Sequence, residues 1–322
     1  MKAIRFAETG GPEVLRFEEI DLPAPSAGEI RVRHTAIGIN YIDTYHRSGL
    51  YPLKLPSGIG MEAAGVVESV GPGVTDLKPG DRIAYGNGPI GAYAESANLV
   101  AARVVKLPEG VSDDIGASIM LKGLTAEYLL RRTYPLKAGE TILFHAAAGG
   151  VGQIACQWAK ALGATVIGTV GSDAKIETAK ANGCDHVIVS SREDIAARVK
   201  EITGGAGVPV VYDGVGKDTW EASIKALKLR GLFASFGNAS GPVPPFSPAL
   251  LSPKSLYMTR PGLMAYVGTT EELRDAAAAL FAVIASGAVK VAAPTVYQLA
   301  DAATAHRDLE ARKTTGSLIL RP

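Results

Sequence analysis

The chain has 322 residues, 47% of them hydrophobic and 20% charged, with 33 Lys and Arg against 32 Asp and Glu for a net charge of +1. That length suits about two domains, and so balanced a charge sets up no strong field to steer the chain to nucleic acid or an anionic membrane. No window reaches the roughly 18 uninterrupted apolar residues of a membrane span, the N-terminus lacks a signal-peptide core, and Cys156 and Cys184 make neither a disulfide framework nor a C-x-x-C pair; a cytoplasmic protein is expected.

Residues 1 to about 122 carry short β-rich runs at 2–6, 14–20, 30–37, 63–70, 82–85 and 92–99, separated by Gly and Pro clusters such as Gly10-Gly11-Pro12 and Lys78-Pro79-Gly80-Asp81. This spacing predicts a mostly antiparallel β domain of barrel or sandwich type. One segment breaks the pattern: residues 37–49 turn from a strand into a short helix, with Asn40 as N-cap and Gly49 as the C′ residue. Polar and aromatic groups clustered where a strand ends often mark a site. Turn chemistry alone also explains Asn40. From Asp113 the composition becomes helical through Lys122 and again from Leu124 to Arg132, and Lys122-Gly123-Leu124-Thr125 reads as a hinge between domains.

The segment 141–172 organises the rest. Thr141 to Phe144 is a buried strand, followed by small residues from Ala146 to Gly152, then a helix in which Ile154, Trp158 and Leu162 recur every fourth position. Gly163 ends that helix, and residues 164–170 form a second buried strand, so the whole is one βαβ unit. Small residues are needed where a pyrophosphate approaches the unpaired N–H groups of a helix's first turn, because a Cβ there would hold it off. Read against G-x-G-x-x-G, the turn supplies Ala147, Gly149 and Gly152, with Gly150 and Val151 between them. Helices at 173–180, 193–202 and 220–229 alternate with strands at 186–189, 208–213, 231–236 and 256–259. This makes an α/β, doubly wound parallel sheet of six strands. The tail, with helices at 271–286 and 300–310 and strands at 296–299 and 316–320, is expected to return to the first domain. His145 ends the first strand of the unit, where a role supporting the site from behind, or a buried structural one, is expected rather than catalysis. His34, His46, His186 and His306 show no metal-ligand spacing, and Cys156 fits as a small buried hydrophobe.

The chain resembles the zeta-crystallin-like quinone oxidoreductases, the zinc-free branch of the medium-chain dehydrogenase/reductase family, and within it the bacterial NADPH:quinone reductases. The resemblance runs end to end: GGPEVL at 10–15, AIGINYIDTYHRSGLYP at 36–52, KPGDR at 78–82, LKGLTA at 121–126, FHAAAGGVG at 144–152, VVYDGVG at 210–216, SFGNASG at 235–241 and TRP at 259–261. It implies a Rossmann sheet inserted in a GroES-like, mostly antiparallel β domain. The first part of the catalytic domain would be residues 1–123, the dinucleotide-binding domain 124–263, and the return 264–322, with a homodimer joined through the Rossmann sheets. Zinc-using relatives place a Cys where Asn40 stands and a G-H-E triplet where Gly60-Met61-Glu62 stands. Neither Asn nor Met is a usual protein zinc ligand, and two cysteines cannot build a four-Cys site, so no metal is expected.

An NAD-specific Rossmann domain usually ends its second strand on an acidic residue. Here that end reads Gly171, Ser172, Asp173, Ala174, Lys175: either Ser172 and Lys175 meet the 2′-phosphate of NADPH, or Ser172 caps the next helix and Lys175 is a solvated surface residue, and the resemblance points to NADPH, with Asp173 a complication. The family tyrosine near that phosphate is replaced by Ser190, and Arg192, two residues on, is placed to compensate. For the nicotinamide end the resemblance points to Asn40, Tyr41, Ile42, Asp43, Thr44 and Tyr45, to Lys122 and Thr125, to Phe236, Gly237 and Asn238, and to Thr315. Of these, Tyr41, Tyr45 and Asn40 would position substrate or cofactor and, for the tyrosines, donate a proton. The expected activity is NADPH-dependent reduction of a small quinone. The alternatives are reduction of activated C=C bonds in enals or enones, and, in another class, non-catalytic NADPH binding or RNA binding. The lack of Lys/Arg runs counts against RNA.

Overall fold

The computed structural model describes residues 1–311 and 313–322. Two compact units emerge from it: Met1–Leu124 with Val267–Phe281 and Val291–Pro322, and Thr125–Tyr266 with Ala282–Lys290.

In the second unit, among the described residues, six strands form one parallel sheet in the order His186–Val189, Thr165–Val170, Thr141–Phe144, Val208–Asp213, Leu227–Ser235 and Tyr257–Thr259. The chain starts at the centre, works outward to one edge and then crosses to the other, the order of a doubly wound dinucleotide-binding sheet. Its strands are buried on both faces and read as near-continuous apolar runs, as in VPVVYD, all six of whose residues are buried. Leu143, Ile167, Val211 and Phe233 centre its core.

In the first unit, Glu29–Ile39 is the long central strand. It pairs antiparallel with Glu62–Val70, Ser96–Val100 and Leu318–Arg321, so the last strand of the chain lies against residues near its start. A small sheet of Lys2–Phe6, Arg16–Glu19 and Ser57–Gly58 packs with it around Ile30, Ile37, Ile83 and Tyr93. These two architectures are the α/β class read from the sequence.

Three departures from the expected local boundaries have a clear physical reason or bear on the site. The two units do divide within the expected junction Lys122-Gly123-Leu124-Thr125, between Leu124 and Thr125, but no loop marks it: the junction lies inside a continuous helix, Asp113–Tyr128. The glycine there answers a packing need, since a Cβ on Gly123 would come within 2.6 Å of the Leu280 methyls. The helix expected to run to Leu229 stops at Ala226, because Leu227 is buried and pairs with Val208, so the strand Leu227–Ser235 starts four residues early; good helix formers yield there to burial and ladder bonds. The helix expected over 173–180 opens as a single 3₁₀ turn, Asp173–Lys175, before Ile176–Ala181.

Gly38, in the central strand, has no room for a side chain: a Cβ would sit 2.3 Å from both the Ala117 carbonyl oxygen and Glu62 Oε2. Gly38→Ala is expected to destabilise the protein by about 2 kcal/mol in urea unfolding; a change below about 0.5 kcal/mol would show that the strand yields freely.

Candidate functional site

The central strand ends at Ile39 and the helix Tyr41–Ser48 follows at once. Asn40, extended, is the N-cap, its N–H donating to Asp43 Oδ2 at 2.8 Å, and Gly49 closes the helix at φ 82°. The Asn40 side chain turns to a buried carboxylate. Its Nδ2 donates to Glu62 Oε2 at 2.8 Å, Lys122 Nζ donates to the same oxygen at 3.0 Å, and the Leu121 N–H donates to Oε1 at 2.8 Å. Glu62 is wholly buried and Lys122 nearly so. From sequence, Glu62 stands out only as the acid of the Gly60-Met61-Glu62 triplet. Its signal was present in the run EAAGVV, where an acid opens a strand of small apolar residues that leave it little access to water.

From Asp43 a second chain of polar groups runs inward. Tyr93 Oη donates to Asp43 Oδ2 at 2.9 Å and meets His306 Nε2 at 3.1 Å, while Arg47 Nη1 lies 2.9 Å from His306 Nδ1 and Nη2 binds Glu310 at 2.7 Å. An arginine can only donate, so Nδ1 is the acceptor and the imidazole is neutral with its proton on Nε2. Burial and Arg47 together push His306 down to about 3. Asp43 moves the other way: burial lifts its carboxyl from 3.8 to about 7, against the lowering pull of the Asn40 N–H, Tyr93 and Lys122, with Glu62 adding to the rise.

Tyr41 and Tyr45 pack ring to ring at 6.4 Å, and Tyr45 meets Tyr51 edge-on at 5.2 Å. The Tyr41 hydroxyl donates to the Leu309 carbonyl, whereas Ile42 is half-buried and Thr44 bonds back to the Tyr41 carbonyl. Thr125 stands one turn beyond Lys122 on the same helix. Thr315 is exposed in the segment entering the last strand, whose pairing of Leu318 with Ile39 brings that segment alongside Asn40.

In the second unit the small-residue turn lies between Thr141–Phe144 and the helix Gly150–Ala161, with Gly149 as an extended N-cap that contributes no side chain. Ala146 is left-handed at φ 54°, Ala147 donates to the Thr169 carbonyl at 2.9 Å, and the Ala146 N–H reaches Thr169 Oγ1 at 3.3 Å. His145 is buried between Thr169 Oγ1 and Ser223 Oγ, each at 3.0 Å, and Ser223 reaches Asp213 at 2.9 Å; this is the buried structural histidine expected from its place at the strand's end. Gly171, Ser172, Lys175, Ser190 and Arg192 gather where the adjacent strands Thr165–Val170 and His186–Val189 end. Phe236 packs on Phe144 with ring centres 5.9 Å apart, and Gly237 has no room for a Cβ, which would lie 2.4 Å from the Gly214 carbonyl. Asn238 follows in the same turn.

Two family descriptions match: "Alcohol dehydrogenase GroES-like domain" over residues 26–109 and "Zinc-binding dehydrogenase" over residues 150–282. A quinone oxidoreductase of Pseudomonas aeruginosa is 54% identical, covering 100% of this chain and 99% of its own. The crystal structure of an Escherichia coli quinone oxidoreductase complexed with NADPH matches with a TM-score of 0.98 at 52% identity, over 100% of both chains. The chain belongs to the quinone oxidoreductases of the medium-chain dehydrogenase/reductase family. A 2-haloacrylate reductase of Burkholderia sp is 44% identical over 97% of this chain and 96% of its own.

For this quinone oxidoreductase the buried Asp43 makes stability depend on pH. Its folded-state value lies above its unfolded one, so its contribution is complete below about pH 4 and is lost as pH rises through about 7. Asp43→Asn is expected to flatten the urea-stability profile across that window by up to about 1.4 kcal/mol per pH unit. His34 and His306, both pushed down, remain in the two proteins and cancel in the comparison. Parallel profiles for variant and parent would refute the assignment.

Proposed function

We propose that the protein is an NADPH-dependent quinone reductase that passes reducing equivalents to a small quinone without a metal ion. The full-length likeness to a quinone oxidoreductase complexed with NADPH carries this reading. The turn fits the cofactor. A Cβ at Gly152 would strike the Ala146 carbonyl oxygen at 2.4 Å and the Ala147 Cα at 2.7 Å, and Gly149 leaves the first N–H groups of the helix open to a pyrophosphate. A Cβ on Gly171 would meet nothing within 4 Å, consistent with open space for the adenosine end.

When bound, NADPH supplies the reducing equivalents from its nicotinamide ring. The chain's task is then to hold, align and keep dry. Ala147, Gly149, Gly150, Val151 and Gly152 are assigned to the pyrophosphate. Gly171, Ser172, Lys175, Ser190 and Arg192 are assigned to the adenosine end, and the Asn40 to Tyr45 segment, with Lys122 and Thr125, to the nicotinamide end together with Phe236, Gly237, Asn238 and Thr315. Glu62 fixes the Asn40 side chain. The Tyr41 hydroxyl donates to the Leu309 carbonyl, and Tyr41 and Tyr45 together are assigned to orienting a substrate carbonyl.

The metal-free reading rests on the donor set. Where zinc would need a ligand stand Asn40, whose amide N–H₂ faces Glu62, and Met61; the Lys122 ammonium beside Glu62 opposes a second cation. A second reading, reduction of an activated C=C bond, is favoured by the full-length likeness to a 2-haloacrylate reductase. We place the protein in the cytoplasm, where two free, buried cysteines persist, and nucleic acid has no part in either reading.

NADPH oxidation against a panel of quinones and 2-alkenals, with metal content measured on the same sample, tests the activity. Turnover with benzoquinone is expected, and a stoichiometric, chelator-sensitive zinc would overturn the metal-free reading. NADPH is the expected preference, and Lys175→Glu is expected to lower the NADPH/NADH ratio of kcat/KM by roughly tenfold; equal ratios for both cofactors in the parent protein would refute it.

We also assign a homodimer built on the edge strand Tyr257–Thr259. Tyr257 and Met258 are exposed there, and Leu229 on the neighbouring strand is 61% exposed, an apolar edge suited to pairing with a second copy. Light scattering is expected to give twice the chain mass, reduced to one chain by Met258→Lys with Tyr257→Lys. A monomeric parent would exclude the assignment.

A further inference from the structure

The strand Thr165–Val170 is followed within three residues by an acid. Asp173 stands about 20 residues past Gly152, the spacing at which an NAD-type site presents a carboxylate to the ribose 2′-hydroxyl. Here that carboxylate is occupied. Arg192 Nη2 lies 2.8 Å and Nε 3.2 Å from Asp173 Oδ1, and Nη1 lies 3.8 Å from Glu193 Oε1. Both partners of the Asp173–Arg192 pair are more than half exposed, so the pair is weakly held and easily exchanged. Arg192 itself belongs to the segment that follows the neighbouring strand His186–Val189, the Arg192 N–H donating to the Val189 carbonyl at 3.1 Å. Ser190 cannot lend its proton to a phosphate in this arrangement, since its hydroxyl donates to the Val170 carbonyl at 3.1 Å.

We propose that Asp173 and Arg192 together set the choice of nicotinamide: Arg192 masks a carboxylate that would otherwise receive the ribose diol of NADH, and exchanges it for the 2′-phosphate of NADPH. This rests on the dinucleotide reading given above. A guanidinium offers a planar fork that fits a phosphate as well as a carboxylate, and the phosphate's second charge favours the exchange. Asp173 then works against NADPH twice, by competing for Arg192 and by repelling the phosphate, while serving NADH whenever Arg192 is absent. The pair is therefore a specificity device with an attractive and a repulsive half.

Titration calorimetry on the full-length protein, with no acceptor present, tests this with four ligands: NADPH, NADH, adenosine 2′,5′-bisphosphate and 5′-AMP. Arg192→Gln is expected to weaken NADPH and the bisphosphate by about tenfold or more and to tighten NADH. Asp173→Asn is expected to tighten NADPH, and added to Arg192→Gln it should abolish the gain in NADH. An NADPH/NADH ratio of Kd within about twofold of the parent in Arg192→Gln would overturn the proposal. An unchanged NADH affinity on adding Asp173→Asn would do the same. Because the readout is binding, a parent protein that binds NADPH yet reduces no quinone would sink the proposed activity and leave this inference standing.

Discussion

One buried carboxylate fixes the end of the first unit's central strand. Glu62 has no contact with water, so its charge must be met inside the protein, and it is met by the Asn40 amide, the Lys122 ammonium and the Leu121 N–H. These partners come from the end of the central strand and from the helix Asp113–Tyr128. Satisfying a single side chain therefore sets the position of both elements, and Gly38 must be glycine because a Cβ there would strike Glu62. Removing the carboxylate would leave an ammonium buried without a partner, which is costlier than never having had the pair.

The second unit solves a different problem with backbone instead of charge. The turn from Ala146 to Gly152 keeps side chains away from the start of a helix, and bare N–H groups of that kind are what the proposed pyrophosphate contact needs. That conformation holds Ala146 in the left-handed region at φ 54°, uncommon for a residue with a Cβ. It is held there by Thr169, and behind Thr169 stand His145, Ser223 and Asp213. Asp213 accepts from two backbone N–H groups and two hydroxyls. A fully bonded buried network of this kind is rigid, and a rigid support is what a turn with little contact area of its own requires.

Among the described residues no group of three or more His, Cys, Asp or Glu side chains could hold a metal ion, and the proposed acceptors make little demand for one. Quinones and activated alkenes are electrophiles already, so alignment and dryness count for more than acid, base or Lewis acid. A quinone oxidoreductase and a 2-haloacrylate reductase both share full-length likeness to this chain, in keeping with the two acceptor readings proposed above. The proposed choice of nicotinamide falls where the Asp173–Arg192 pair is exposed and exchangeable.

The sequence by itself determined the elements whose signal is local. The alternation of apolar runs and amphipathic helices after Thr141, the small-residue turn, and the caps at Asn40 and Gly49 all depend on neighbours within a few positions, so period and residue type suffice to read them. Only the tertiary structure decided what depends on contacts distant in sequence. The junction at Lys122 to Thr125 is where the two units divide, but its glycine, which suggests a break, is packing clearance for Leu280 within an unbroken helix. Leu227 looked helical and is a strand residue, because its partner is Val208. Glu62, Tyr93 and His306 are far apart in the chain and gain meaning only when folding buries them together, where loss of water raises the cost of every unmatched charge. Asp173 shows the same limit: its spacing from the glycines is legible, but whether it faces a ribose or an arginine is set by the end of a neighbouring strand.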